Sequence, residues 1–118
     1  MARQIVDAAY CVHRAIGPGL IENVYEVCLC HEISLRSLSF QSQFPVPVNY
    51  KGVRLDIELR LDLLVEDCVL VELKSVERIV PVFEAQLLTY LRLTGKRLGL
   101  LINFNVPLIK DGIKRIVL

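Results

Sequence analysis

The chain predicts an α+β fold, one central mixed sheet flanked by helices. Three observations carry this. The first forty residues hold apolar positions at helical spacing, in two runs separated by Gly17-Pro18-Gly19. The middle, from Phe40 to Ser75, alternates with period two and is broken by turn residues at Lys51-Gly52. A further helical run, Pro81–Thr94, is followed by the continuous apolar segment LGLLINF and a last short strand. The order is helices, strand meander, helix, strand, strand, which fits layers of helix around one sheet.

Each element has its own warrant. Residues 4–16 place Ile5, Ala8, Ala9, Val12 and Ile16 on one helical face. Gly17 suits a helix end and Pro18 the first turn of the next helix. That second helix is expected to run to about Leu38 and to bury some combination of Leu20, Val24, Val27, Leu29 and Ile33. Glu22, Tyr25 and Glu26 share a face by their spacing. A Glu in a first turn is also favoured by the helix dipole alone. Pro45 and Pro47 mark Phe40–Tyr50 as an edge strand. Pro81 and Gly95 bound the third helix, with either Val82, Ala85, Leu88 and Leu91 or Phe83, Leu87 and Leu91 facing inward. The apolar run Leu98–Phe104 reads as a buried strand.

The most informative stretch is Arg60–Ser75, RLDLLVEDCVLVELKS. If Asp62 pairs opposite Glu72, then Leu64 meets Leu70 on the same side. Leu61, Leu63 and Val65 then meet Leu73, Val71 and Val69 on the other. One face becomes apolar and the other carries Asp62, Glu72 and Lys74; a slip of one residue spoils both. This register leaves Glu66, Asp67 and Cys68 as a three-residue loop. Two adjacent carboxylates repel, and Mg²⁺, which sits on one or two carboxylates and keeps several waters, is the usual remedy. Lys74 beside them is placed to handle a water or a developing charge. The competing reading of any E-x-K is the solvated face of an edge strand. Asp56 and Glu58 read as such solvated acids.

The 118 residues suit one domain, 1–118, and 53% hydrophobic with 23% charged content is globular. A formal charge of +1 excludes a polyelectrolyte binder, so any nucleic-acid contact needs a local patch. Arg92, Lys96, Arg97, Lys110, Lys114 and Arg115 crowd the last quarter and are the candidates for a basic rim. No apolar run approaches the ~20 residues of a membrane span, and the start has no signal-peptide form; the expectation is a cytoplasmic protein without a membrane partner. Cys11, Cys28, Cys30 and Cys68 lack zinc-ligand spacing and read as reduced, packed thiols. A homodimer stays open.

Asp62, then Glu72-Leu73-Lys74 on the next strand, then a helix with Gln86, resembles the PD-(D/E)XK nuclease superfamily. GLIENVY, Gly19–Tyr25, matches the G-x-x-E-x-x-Y signature of the GxxExxY family within it, and QLLTYL and GLLINF are similar to that family's segments. The similarity runs along essentially the whole chain. The Pro of the superfamily motif is replaced by Leu61. The resemblance implies a core of a helix, a three-stranded meander, a second helix and a further strand. It implies Asp62 and Glu72 as metal ligands, with the Leu73 carbonyl a third, and Lys74 as the catalytic lysine. Glu22 and Gln86 complete the implied catalytic set, and Tyr25 and Tyr90 are placed either in a substrate groove or in packing. The implied activity is Mg²⁺- or Mn²⁺-dependent hydrolysis of nucleic-acid phosphodiesters. The alternatives are a catalytically silent nucleic-acid-binding module or a protein-interaction module on the same fold.

Overall fold

The structure is a computed structural model describing residues 1–118. Its elements are α1 (Ala2–Ile16), α2 (Glu22–Leu35), β1 (Phe40–Tyr50), β2 (Val53–Val65), β3 (Val69–Lys74), α3 (Pro81–Thr94), β4 (Leu98–Asn103), a short 3₁₀ turn (Ile109–Gly112) and β5 (Ile113–Val117). The five strands lie in chain order, β1-β2-β3-β4-β5. All neighbours are antiparallel except β3 and β4, which run parallel and are joined through α3. The sheet is therefore mixed, and the fold is α+β, as the sequence predicts.

Two apolar layers cover the sheet. Ile5, Ala8, Ala9 and Val12 of α1 and Tyr25, Leu29 and Ile33 of α2 pack with Leu63, Val65, Val69, Val71, Leu73, Leu100 and Ile102. On the opposite face Leu87, Tyr90 and Leu91 of α3 pack with Leu61, Leu64, Leu70, Leu101 and Val46. The alternation of strand side chains thus feeds both layers from β3 and β4.

Several expectations are corrected. Pro18 lies in the loop, because α2 begins only at Glu22. The buried stripe of α2 is Tyr25, Leu29 and Ile33, at steps of four, while Leu20, Val24 and Val27 are exposed. Tyr25 belongs to packing: its ring stacks on Phe104 at 4.5 Å, and its hydroxyl donates to the Gly17 carbonyl at 2.6 Å and accepts from the Leu20 N–H at 3.1 Å. It pins the α1–α2 loop to the core. In α3 the inward set is Phe83, Leu87 and Leu91, with Val82 exposed.

The β2–β3 register is as expected for Leu63–Val71, Leu64–Leu70 and Val65–Val69, with a turn at 66–68. Glu66 and Asp67 take positive φ and the Cys68 N–H closes the turn on the Val65 carbonyl at 3.0 Å. Leu61 departs from expectation. It packs on the α3 side with Leu64, whereas Leu63 packs on the α1–α2 side. The alternation of β2 therefore breaks at Asp62.

The segment after β3 is pinned by Asn103, which is 1% exposed. Its side chain accepts from the Val76 N–H at 3.0 Å and donates to the Val76 carbonyl at 2.9 Å, imitating a strand partner. Gly112 approaches the same place so closely that a Cβ there would lie 2.1 Å from the Asn103 carbonyl oxygen. No helix is long and apolar enough to cross a membrane.

Candidate active site

Backbone pairing of β2 with β3 stops at Leu63–Val71. Beyond it the two carboxylates take over the role of the ladder. Glu72 Oε1 accepts the Asp62 N–H at 2.9 Å, and Asp62 Oδ2 accepts the Leu73 N–H at 2.8 Å. Each acid thus bonds the backbone of the other strand, and each keeps a second oxygen that neither of these bonds occupies. In an extended residue the N–H and C=O point to the same side. The Leu73 carbonyl therefore points towards β2 with its N–H, while the Lys74 carbonyl serves Phe104 at 2.9 Å on the other side.

This arrangement is electrostatically loaded. The Glu72 carboxyl is pushed from its ordinary 4.5 up to about 7, first by burial and then by the charge on Asp62. The Asp62 N–H and Lys74 pull it back only in part. Asp62 is also raised, chiefly by burial, against the bonds from Leu73 and Gln43 and the charge of Lys74. Lys74 sits with its ammonium 4.4 Å from the centre of the Phe83 ring on α3. It lines an open cleft of ≈ 460 Å³ with Phe83, Ala85, Gln86 and Thr89.

The other expected residues fall around this notch. Glu22 is exposed in the first turn of α2, and its charge contributes to the upward push on Glu26 and Glu72. Gln86 lies on the cleft side of α3, where its amide donates to the Tyr90 hydroxyl at 3.3 Å. Tyr90 is largely buried in the α3-side core, and the charge on Glu72 helps raise its pKa after burial. The candidates for a basic rim divide: Lys114 sits level with the site, since its partner Leu101 also pairs with Glu72, while Lys96 and Arg97 lie at the other end of the sheet. Lys96 pairs with Asp67 at 3.4 Å, at the β2–β3 turn, and Lys114 pairs with Glu84 at 3.0 Å. Lys96 and Arg97 precede the Leu98 end of β4, whereas Lys74 aligns with Asn103 at the other end. The parallel pairing of β3 and β4 puts the length of the sheet between them.

Three further polar residues stand near the site without a role assigned by the sequence. Gln43, on β1, donates its amide to Glu26 Oε1 at 2.9 Å and Asp62 Oδ1 at 3.4 Å. Glu26 shares the Glu22 face of α2, as its spacing predicts, and its carboxyl is raised, mainly by burial. A Gln among the polar residues of an edge strand gives no sequence signal. Asn103, a lone amide inside an apolar run, gives one.

No three acid, His or Cys side chains converge into a ready metal cage. Two carboxylates with open solvent are nonetheless the donor set that suits Mg²⁺, which needs one or two and keeps waters. A cation would also relieve the burial and mutual repulsion that raise both carboxyls. The residues fit a water-rich divalent site. A second groove, ≈ 390 Å³ between α1 and α2, is lined mostly by apolar side chains and lies apart from these acids.

One comparison with known proteins bears on this frame. A family model described as the PD-(D/E)XK nuclease superfamily matches residues 1–116. No curated protein and no solved structure matches the chain.

Proposed function

Because the chain belongs to the PD-(D/E)XK nuclease superfamily, we propose that it is a divalent-metal-dependent nuclease hydrolysing phosphodiester bonds of DNA or RNA. The observation that carries this reading is the reciprocal exchange between Asp62 and Glu72 at the opened end of β2 and β3, with Lys74 next on the strand. Asp62 and Glu72 would hold the metal through their carboxylates, with the Leu73 carbonyl, directed to the same side, as a third ligand. Bound Mg²⁺ or Mn²⁺ supplies a Lewis acid for the phosphoryl oxygen. Lys74 orients the attacking water or meets the charge that develops on the phosphate. Gln86 and Thr89 line the cleft on the far side of Lys74 and are placed to contact the substrate backbone. Glu22, whose charge reaches Glu72 from the first turn of α2, would help to bind water or metal.

The finer placement is in the GxxExxY family. Its support is the segment from Gly19 to Tyr25, the end of the α1–α2 loop and the first turn of α2. Tyr25 anchors that loop through Gly17 and Leu20, and the anchored loop sets Glu22 in the first turn of α2. The signature thereby ties a core residue to an acid at the site.

The test is cleavage of a panel of single- and double-stranded DNA and RNA with Mg²⁺, Mn²⁺ or Ca²⁺. Expected is cleavage with Mg²⁺ or Mn²⁺ and little with Ca²⁺, which is larger and looser in geometry. Absence of cleavage in any metal, or a Lys74→Ala variant as fast as wild type, replaces the enzyme with a silent binding module.

A further inference from the structure

Gln43 is the most unusual residue near the site. It lies inside β1 and has φ 51°, the left-handed region that non-glycine residues seldom adopt. The β1–β2 pairing runs from Phe40–Val65 to Ser42–Leu63 and resumes at Phe44–Leu61, stepping over Gln43 and Asp62. Arg60 Nη1 donates to the Gln43 carbonyl at 3.0 Å and so holds the turned backbone. Strain of this kind persists where the surroundings enforce it, and it gathers at functional sites. Here it turns the Gln43 amide inward, off the edge of the sheet. The amide meets Glu26 of α2 at 2.9 Å and Asp62 of β2 at 3.4 Å.

We propose that Glu26 and Gln43 form a positioning relay, in which α2 orients the Asp62 carboxylate through the Gln43 amide. The relay rests on the metal-site reading given above. Asp62 is held at one oxygen by the Leu73 N–H. That single bond leaves the carboxylate free to swivel about it, and the Gln43 amide at Oδ1 supplies the second point. Glu26 makes the shorter bond and is the anchor. It needs only an acceptor oxygen for this, so its charge is dispensable. Partners of this sort typically change metal affinity by about 10–100-fold when removed.

The experiment is calorimetric titration of Mn²⁺ into the full chain, with melting temperature recorded for each variant. Gln43→Gly suits the left-handed backbone and deletes only the amide. It is expected to weaken Mn²⁺ binding by about tenfold with no loss of melting temperature. Glu26→Ala is expected to match it, Glu26→Gln to bind as wild type, and Glu26→Ala/Gln43→Gly to be no weaker than the weaker single variant. Unchanged affinity in Gln43→Gly overturns the relay. So does Glu26→Gln behaving as Glu26→Ala, which would make charge the operative property, and so do losses that add in the double variant. Those results leave the metal site standing. A wild-type chain that binds no Mn²⁺ overturns the site and the relay together.

Discussion

The two halves of the β2–β3 pair are built from the same two strands and held by different chemistry. From Leu63 to Val65 the strands exchange backbone hydrogen bonds, and every side chain of that half is buried in one of the two cores. From Asp62 outward the bonds run from backbone to carboxylate, and the strands part. The first half is neutral and closed. The second stores two repelling acids in a half-buried notch. The site is thus an opening made by unzipping one end of a ladder, with the acids standing in for the lost partners.

Lys74→Ala should cut nuclease activity by about 10²–10⁴-fold while the melting temperature stays near wild type, since the Lys74 side chain makes no hydrogen bond that holds the strands. The substitution leaves the Lys74 carbonyl bond to Phe104 intact and removes only the side chain's contact with the Phe83 ring; cleavage and thermal melting of the same preparation check both. In the closed half the effect reverses. Leu70→Ala should cost about 2–5 kcal/mol of stability by denaturant unfolding, because Leu70 is fully buried between the sheet and α3, and the folded fraction should still cut.

Glu72 probes both roles at once. Glu72→Gln retains an acceptor for the Asp62 N–H, whereas Glu72→Ala orphans it. Both should lose metal binding, and Glu72→Ala should be less stable than Glu72→Gln by about 1–3 kcal/mol. An equal stability for the two would show that the exchange of bonds does not hold the open half.

Acidity sharpens the contrast more gently. Glu72 binds its proton more tightly folded than unfolded, with a carboxyl at about 7 against an ordinary 4.5. A raised acid weakens the fold as it ionises, so the metal-free protein should lose stability as pH rises from 4.5 to about 7 and level off above. Asp62 acts in the same direction. Glu72→Gln should flatten this slope in melting scans. Saturating Mn²⁺ at neutral pH should raise the melting temperature of the wild type, by mass action on the folded state.

The legible parts of the chain share a physical cause. Period two and a short loop leave only one register that keeps Leu63, Val65, Val69 and Val71 together, so the neighbourhood of Asp62 and Glu72 could be read directly. Pro81 and Gly95 are local signals, and α3 begins and ends where they stand. The inward stripe of α2 was not legible, because the helix is apolar on nearly every side and periodicity cannot choose among its faces. The side taken by Leu61 depends on a bend at Asp62, and the role of Gln43 on a backbone angle and on partners 17 and 19 residues away. Neither leaves a pattern in sequence.

The exchange between Asp62 and Glu72 also bears on how such a chain changes over descent. If the chain is the nuclease proposed above, a lineage that gave up catalysis would still need an acceptor for the Asp62 N–H and another for the Leu73 N–H. Selection for folding alone would therefore hold both acids, or their amides, long after turnover had gone. Lys74 has no such obligation and would drift first. Among descendants of this chain, the lysine and not the acids would be the marker that separates working enzymes from retired ones.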